Sequence, residues 1–99
     1  MPAELAYPQT VRSDANSLEI VRAWAAHGGL QCSLRPDDWP ADKAAISWGI
    51  LLSDIARHVA DALAQAYGLE KPATLAKIRS VFDKELAAPT GETSGGFAE

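Results

Sequence analysis

Cysteine is nearly absent from this chain of 99 residues. Cys32 is the single thiol, so no internal disulfide can form. That fits a reducing compartment and excludes a disulfide-stapled secreted scaffold. The N-terminus, MPAELAYPQT, lacks a basic start followed by an apolar run, so it does not read as a secretory signal. Long hydrophobic runs are missing too. The longest nearly apolar stretch, Ala44 to Leu52, is interrupted by Ser47 and falls far short of the ~20 residues that span a bilayer. Basic residues are outnumbered, with 9 Lys and Arg against 13 Asp and Glu, a formal net charge of −4. An acidic balance opposes non-specific attraction to nucleic acid or an anionic membrane. The expectation is a cytoplasmic protein that binds neither membrane nor nucleic acid.

What is present is ordinary globular composition, 47% hydrophobic and 22% charged. The length suits one domain. A domain of this size buries roughly two-thirds of its unfolded surface, so a core without metal or disulfide support is feasible.

The segment Trp48 to Tyr67, WGILLSDIARHVADALAQAY, dominates the sequence. Leu51, Ile55, Val59, Leu63 and Tyr67 recur every four residues, and Trp48, Leu52, Ala56 and Ala62 widen the seam. This predicts a long helix over about 43–67, with Asp42 as N-cap, Asp38 as the alternative cap, and Gly68 as the stop. Gly49 costs such a helix about 1 kcal/mol relative to Ala, which points to another backbone packed closely against it. After a short link, Pro72 suits the first turn of a second helix over about 72–87. Its stripe is Leu75, Ile78, Val81, Phe82 and Leu86. So short a link favours an antiparallel helix pair. Lys71, Lys77, Arg79 and Lys84 are interleaved with Glu70, Asp83 and Glu85, which reads as a mixed solvated face rather than a phosphate-binding stripe.

Residues 17–35 admit two readings. Asn16 and Glu19 would cap a helix from Ser17 to His27 ended by Gly28-Gly29. Alternatively, a two-residue turn at His27-Gly28, or at Gly28-Gly29, joins two strands over about 18–26 and 29–35. The turn then collects Val21, Ala23, Ala25, Leu30, Cys32 and Leu34 on one face. Two segments jointly form that apolar face, which a lone helix does not explain, so the hairpin is favoured. It points Cys32 inward as a buried structural thiol rather than a nucleophile, which would need a stabilising positive neighbour. The small Ala23 and Ala25 would let the long helix sit close. The far face carries Arg22 and Trp24, with Leu18 and Ile20 at its end.

The expected fold class is therefore α+β: a β-hairpin packed on a long helix and a second antiparallel helix. Residues 1–16 read as an irregular N-terminal arm, 17–87 as the single domain, and 88–99 as a flexible C-terminal tail. A two-stranded sheet is marginal alone and leaves both edges open. Leu18, Ile20, Arg22 and Trp24 are accordingly a candidate interface. A homodimer joining edges or covering that strip would resolve both problems, and a different protein partner would also fit it.

Chemistry is sparse. Asp54 and His58 are neighbours at i and i+4 on the helix surface. A carboxylate beside an imidazole can fix its tautomer and prepare it as a base. The plainer reading is a surface ion pair, since no nucleophile is tied to it. Trp39 and Trp48 flank the loop before the long helix. They would wall a ligand pocket rimmed by Arg35, Asp37 and Asp38, or simply anchor that loop. The candidate ligand site is thus Asp54, His58, Trp39, Trp48 and Arg22. No catalytic residue is assigned. Asp54, His58 and Asp61 fall short of the three or four ligands with support that a metal needs, and His27 sits in the turn, so neither metal nor cofactor is expected.

The runs VRAWAAHGGLQCSL and WGILLSDIARHVADALAQAY resemble a family of small bacterial proteins known only as a domain of unknown function. The resemblance covers about residues 17–87. Its most specific parts are Arg22 and Trp24 before the glycine turn, then Trp48-Gly49 followed by Asp54, Arg57 and His58. It implies a hairpin followed by helices and carries over no activity, cofactor or catalytic residue. The leading functional expectation is a non-enzymatic, self-associating interaction module. The alternative is a small-ligand or enzymatic site around Asp54 and His58.

Overall fold

A computed structural model of the chain describes residues 4–90. In chain order these form a one-turn helix α1 (Gln9–Arg12), strands β1 (Val21–Ala26) and β2 (Gly29–Leu34), a long helix α2 (Ala41–Tyr67) and a second helix α3 (Lys71–Ala87). The fold is α+β. A helical turn thus interrupts the arm that the sequence suggested was irregular. Of the tail expected over 88–99, residues 91–99 lie outside the described part.

The hairpin is antiparallel, pairing Val21 with Leu34, Ala23 with Cys32 and Ala25 with Leu30. This is the His27-Gly28 turn of the two the sequence allowed, and it sets odd-numbered residues of β1 beside even-numbered ones of β2 as expected from either. His27 at φ 52° and Gly28 at φ 75° are both left-handed, as a two-residue I′ turn requires. Beyond β1 the ladder continues one step, Arg35 N–H donating to the Ile20 carbonyl at 3.0 Å. The helical alternative for 17–27 is excluded.

Helix α2 starts earlier than expected. Pro40, at φ −56° and ψ 148°, occupies the N-cap, and Asp42 lies in the first turn instead of capping it. Proline has no N–H to leave unsatisfied there, and a carboxylate in the first turn complements the positive end of the helix. The helix ends as predicted, on Gly68 in the left-handed conformation, its N–H donating to the Ala64 carbonyl at 2.8 Å. Pro72 lies in the first turn of α3.

The core differs most from expectation. Among the described residues only Ala60 is buried, at 1% exposure. It sits where α3 folds back on α2. Around it Ala56, Leu63, Ala64, Thr74, Leu75 and Ile78 are half-buried, whereas Val81, Phe82 and Leu86 further along α3 are exposed. Close helix packing is therefore confined to the end nearest the link. A Lys71–Asp61 ion pair at 3.1 Å ties that end, between side chains that are both more than half exposed. Such a pair contributes at most about 1 kcal/mol.

The hairpin does not seat on its own long helix. No strand residue comes within 8 Å, Cα to Cα, of any helix residue among the described elements. Ala23, Ala25 and Leu30 are exposed, and Cys32 is half-buried rather than enclosed. The physical reason lies in the connection. Trp39 packs edge-on against Trp48, ring centroids 5.7 Å apart at 80°. Arg35 Nε donates to Asp38 Oδ1 at 3.2 Å, and Lys43 N–H donates to the Pro40 carbonyl at 2.9 Å. Two prolines stiffen the same stretch. This elbow holds the hairpin away from the helix that follows it.

Gly49 also departs from expectation. A Cβ there would meet nothing within 4 Å beyond its own helix turn, so among the described residues no other backbone presses on it. Gly49→Ala is accordingly expected to stabilise the protein by about 1 kcal/mol in urea unfolding, through helix propensity alone. A loss of stability instead would place another chain's backbone against that position.

Candidate functional site

The long helix carries Asp54 and His58 on its polar side. Neither a hydrogen bond nor an ion pair joins them. Asp54 Oδ1 instead accepts from Arg57 Nη1 at 2.7 Å, one helical turn away, and both side chains are at least 60% exposed. His58 is exposed as well. A carboxylate engaged by a guanidinium in open solvent does not orient the imidazole as a base requires. Asp54→Asn is expected to change stability by no more than about 0.5 kcal/mol in thermal unfolding, as for other exposed i, i+3 pairs. A larger loss would mean that Asp54 has a partner outside this chain.

The tryptophans come together as loop anchors. Trp39 and Trp48 are half-buried and pack edge-on, and the Arg35–Asp38 bridge closes the loop that precedes Trp39. Asp38 Oδ2 is buried and has no hydrogen-bond partner among the described residues. Asp54 and His58 lie on a different side of α2 from Trp48, since six and ten residues of helix rotate them about 120° and 80° away from it.

Arg22 belongs to a third locality. Its Nε donates to Glu19 Oε2 at 2.6 Å, and Glu4 approaches at 3.7 Å. The hydrogen bond and negative charge of Glu19 raise the Arg22 pKa, so the guanidinium stays protonated at any physiological pH. Residues 4–7 of the arm run beside β1 here, enclosing an open groove of about 280 Å³ with Glu19, Arg22 and Trp24. No backbone hydrogen bond joins this part of the arm to β1. Tyr7, Val11 and Leu18 line an adjoining groove of about 330 Å³. The arm thus attends the outer strip formed by Leu18, Arg22 and Trp24. From the sequence, Leu5, Tyr7 and Val11 could pin the arm to the body, with no indication of where.

The five candidate ligand-site residues therefore divide into three places: a surface pair, a tryptophan elbow and an ion-paired strand edge. No group of three or more His, Cys, Asp or Glu side chains suited to a metal occurs among the described residues. No helix among them is long and apolar enough to cross a membrane.

A small α+β unit, with a hairpin held off a splayed helix pair, is the class these observations define. The chain belongs to the family described as a domain of unknown function (DUF5076), which matches residues 4–90. Among solved structures it is similar to a provisionally assigned pyruvate dehydrogenase from the photosynthetic bacterium Rhodopseudomonas palustrus CGA009. The two are 28% identical with a TM-score of 0.69, over 100% of this chain and 98% of the other. No curated protein matches.

Proposed function

We propose that this chain is a non-enzymatic interaction module that acts in the cytoplasm as a homodimer. The observation supporting this is the near absence of a core, with Ala60 alone buried among the described residues. Helix α2 carries an exposed apolar stripe of Leu52, Ile55 and Val59, and its first turns add exposed Ile46 and Ile50 on the side that becomes polar at Asp54, Arg57 and Asp61. Apolar side chains exposed together in this way call for a cover from outside the chain.

Surface area makes the same point. The chain exposes 8413 Å², whereas a compact monomer of this mass exposes about 5,400 Å². Granting full exposure to every residue outside 4–90 still leaves a surplus of about 1,700 Å². Covering that on each of two copies would bury about 3,400 Å², within the range of obligate homodimers.

The pyruvate dehydrogenase assignment of the similar structure is not carried over. The candidate acid–base pair is dispersed on an exposed helix face, and the grooves beside β1 are open to solvent. Sedimentation equilibrium tests the reading. A mass twice that of the chain is expected at micromolar concentration, and a well-folded species of single-chain mass would overturn it.

A further inference from the structure

We infer that the dimer is interlocked: the apolar hairpin face of each copy seats on the Leu52, Ile55 and Val59 stripe of its partner's α2. This rests on the self-association proposed above and specifies its geometry. The chain carries two apolar surfaces that need each other and do not meet within it. One is the hairpin face of Val21, Ala23, Ala25, Leu30, Cys32 and Leu34, with Leu30 at 51% exposure. The other is the α2 stripe, with Ile55 at 41% exposure.

Their shapes are complementary. Alanines at the centre of the hairpin face leave depth for the branched Leu, Ile and Val side chains of a helix. Their dimensions agree too. Six-residue strands extend about 20 Å. The 27-residue α2 is about 40 Å long. Helix α3 packs on the Ala56, Ala60 and Ala64 side of α2, and the stripe lies about 80–140° around the helix from Ala60, which leaves it exposed for a hairpin.

Within the chain the hairpin does not cover the stripe: with the Trp39–Trp48 contact and the Arg35–Asp38 bridge in place, no strand residue comes within 8 Å of α2, Cα to Cα. A second copy brings a hairpin to the stripe with both elbows intact. Two such seats, one per copy, would cover part of that surplus area.

Cys32 supplies the test, because it lies on the hairpin face and is the native thiol of the chain. Unmodified protein would be mixed with a size-tagged Cys32→Ser chain carrying Ile55→Cys or Val59→Cys. Subunits would be exchanged, then oxidised with copper–phenanthroline and separated without reductant. A disulfide needs Cα atoms closer than about 7 Å, so a mixed crosslinked dimer is expected at least about fivefold above a Cys32→Ser, Asp61→Cys control on the polar face. Sedimentation of each tagged chain runs alongside. A dimer by mass that yields no mixed crosslink from either position would overturn the interlocked seat and leave self-association standing. Single-chain mass for the unmodified protein would overturn both. In the untagged single variants with Cys32 retained, a crosslink within one chain would show that the hairpin folds onto its own helix, and would also overturn the proposal.

Discussion

Ile55→Glu is expected to convert the protein from dimer to monomer, weakening association at least about 100-fold by sedimentation equilibrium. Seen from one chain, this result is unexpected. Ile55 is 41% exposed on the outer side of α2. Replacing such a residue with a good helix former ordinarily alters stability by about 0.5 kcal/mol or less. In the interlocked dimer the same carboxylate would enter an apolar interface without a cation or donor. An unpaired buried charge costs several kcal/mol, and the two-fold arrangement imposes it at both seats. Ile55→Met keeps volume and polarity, so it should retain the dimer. An Ile55→Glu protein that stays dimeric at low micromolar concentration would remove α2 from the interface.

Trp48→Ala carries the second large effect, a loss of about 2–3 kcal/mol in urea unfolding at fixed protein concentration. Trp48 forms the edge-on pair with Trp39, and both rings are half-buried at the junction of hairpin and helix. Truncation removes the apolar area of one indole and exposes part of the other. It also releases the elbow that orients the hairpin, so dimerisation should weaken together with folding. Trp48→Phe keeps an aromatic edge at the same site and should recover more than half of the loss. Since unfolding and dissociation are linked, the comparison holds only at one total concentration. A change under about 0.5 kcal/mol would mean that the tryptophan pair does not hold the connection.

The secondary structure was legible for reasons that residue spacing expresses directly. The I′ turn needed two left-handed residues in succession, and His27-Gly28 is one of few places that tolerate it. Either this turn or one at Gly28-Gly29 gives the same apolar face by counting, and the structure takes the one that sets Ala23 opposite Cys32. Gly68 marked the end of α2 because a residue without Cβ enters the left-handed conformation at little cost. Pro40 was harder to read, since a proline starts a helix or precedes one with equal ease, and Asp42 was the more familiar cap.

The candidate site was less legible. Asp54 has two neighbours of comparable reach, Arg57 at i+3 and His58 at i+4. The guanidinium prevailed through full charge and a 2.7 Å hydrogen bond. Arg22 was grouped with the tryptophans on composition, and Glu19 with the arm residue Glu4 placed it elsewhere. Glu4 lies 18 residues before Arg22 in the chain, and no periodicity reports a contact of that kind.

Local chemistry along the chain was enough to determine the main elements, their order, and which residues share each of the two apolar faces. It did not determine where those faces go. Periodicity says that a surface must be covered and is silent on what covers it, because the hydrophobic effect has no direction. The tertiary structure decided that point through one rigid connection. The tryptophan elbow holds the hairpin off its own α2, leaving both faces in solvent and Ala60 alone enclosed among the described residues.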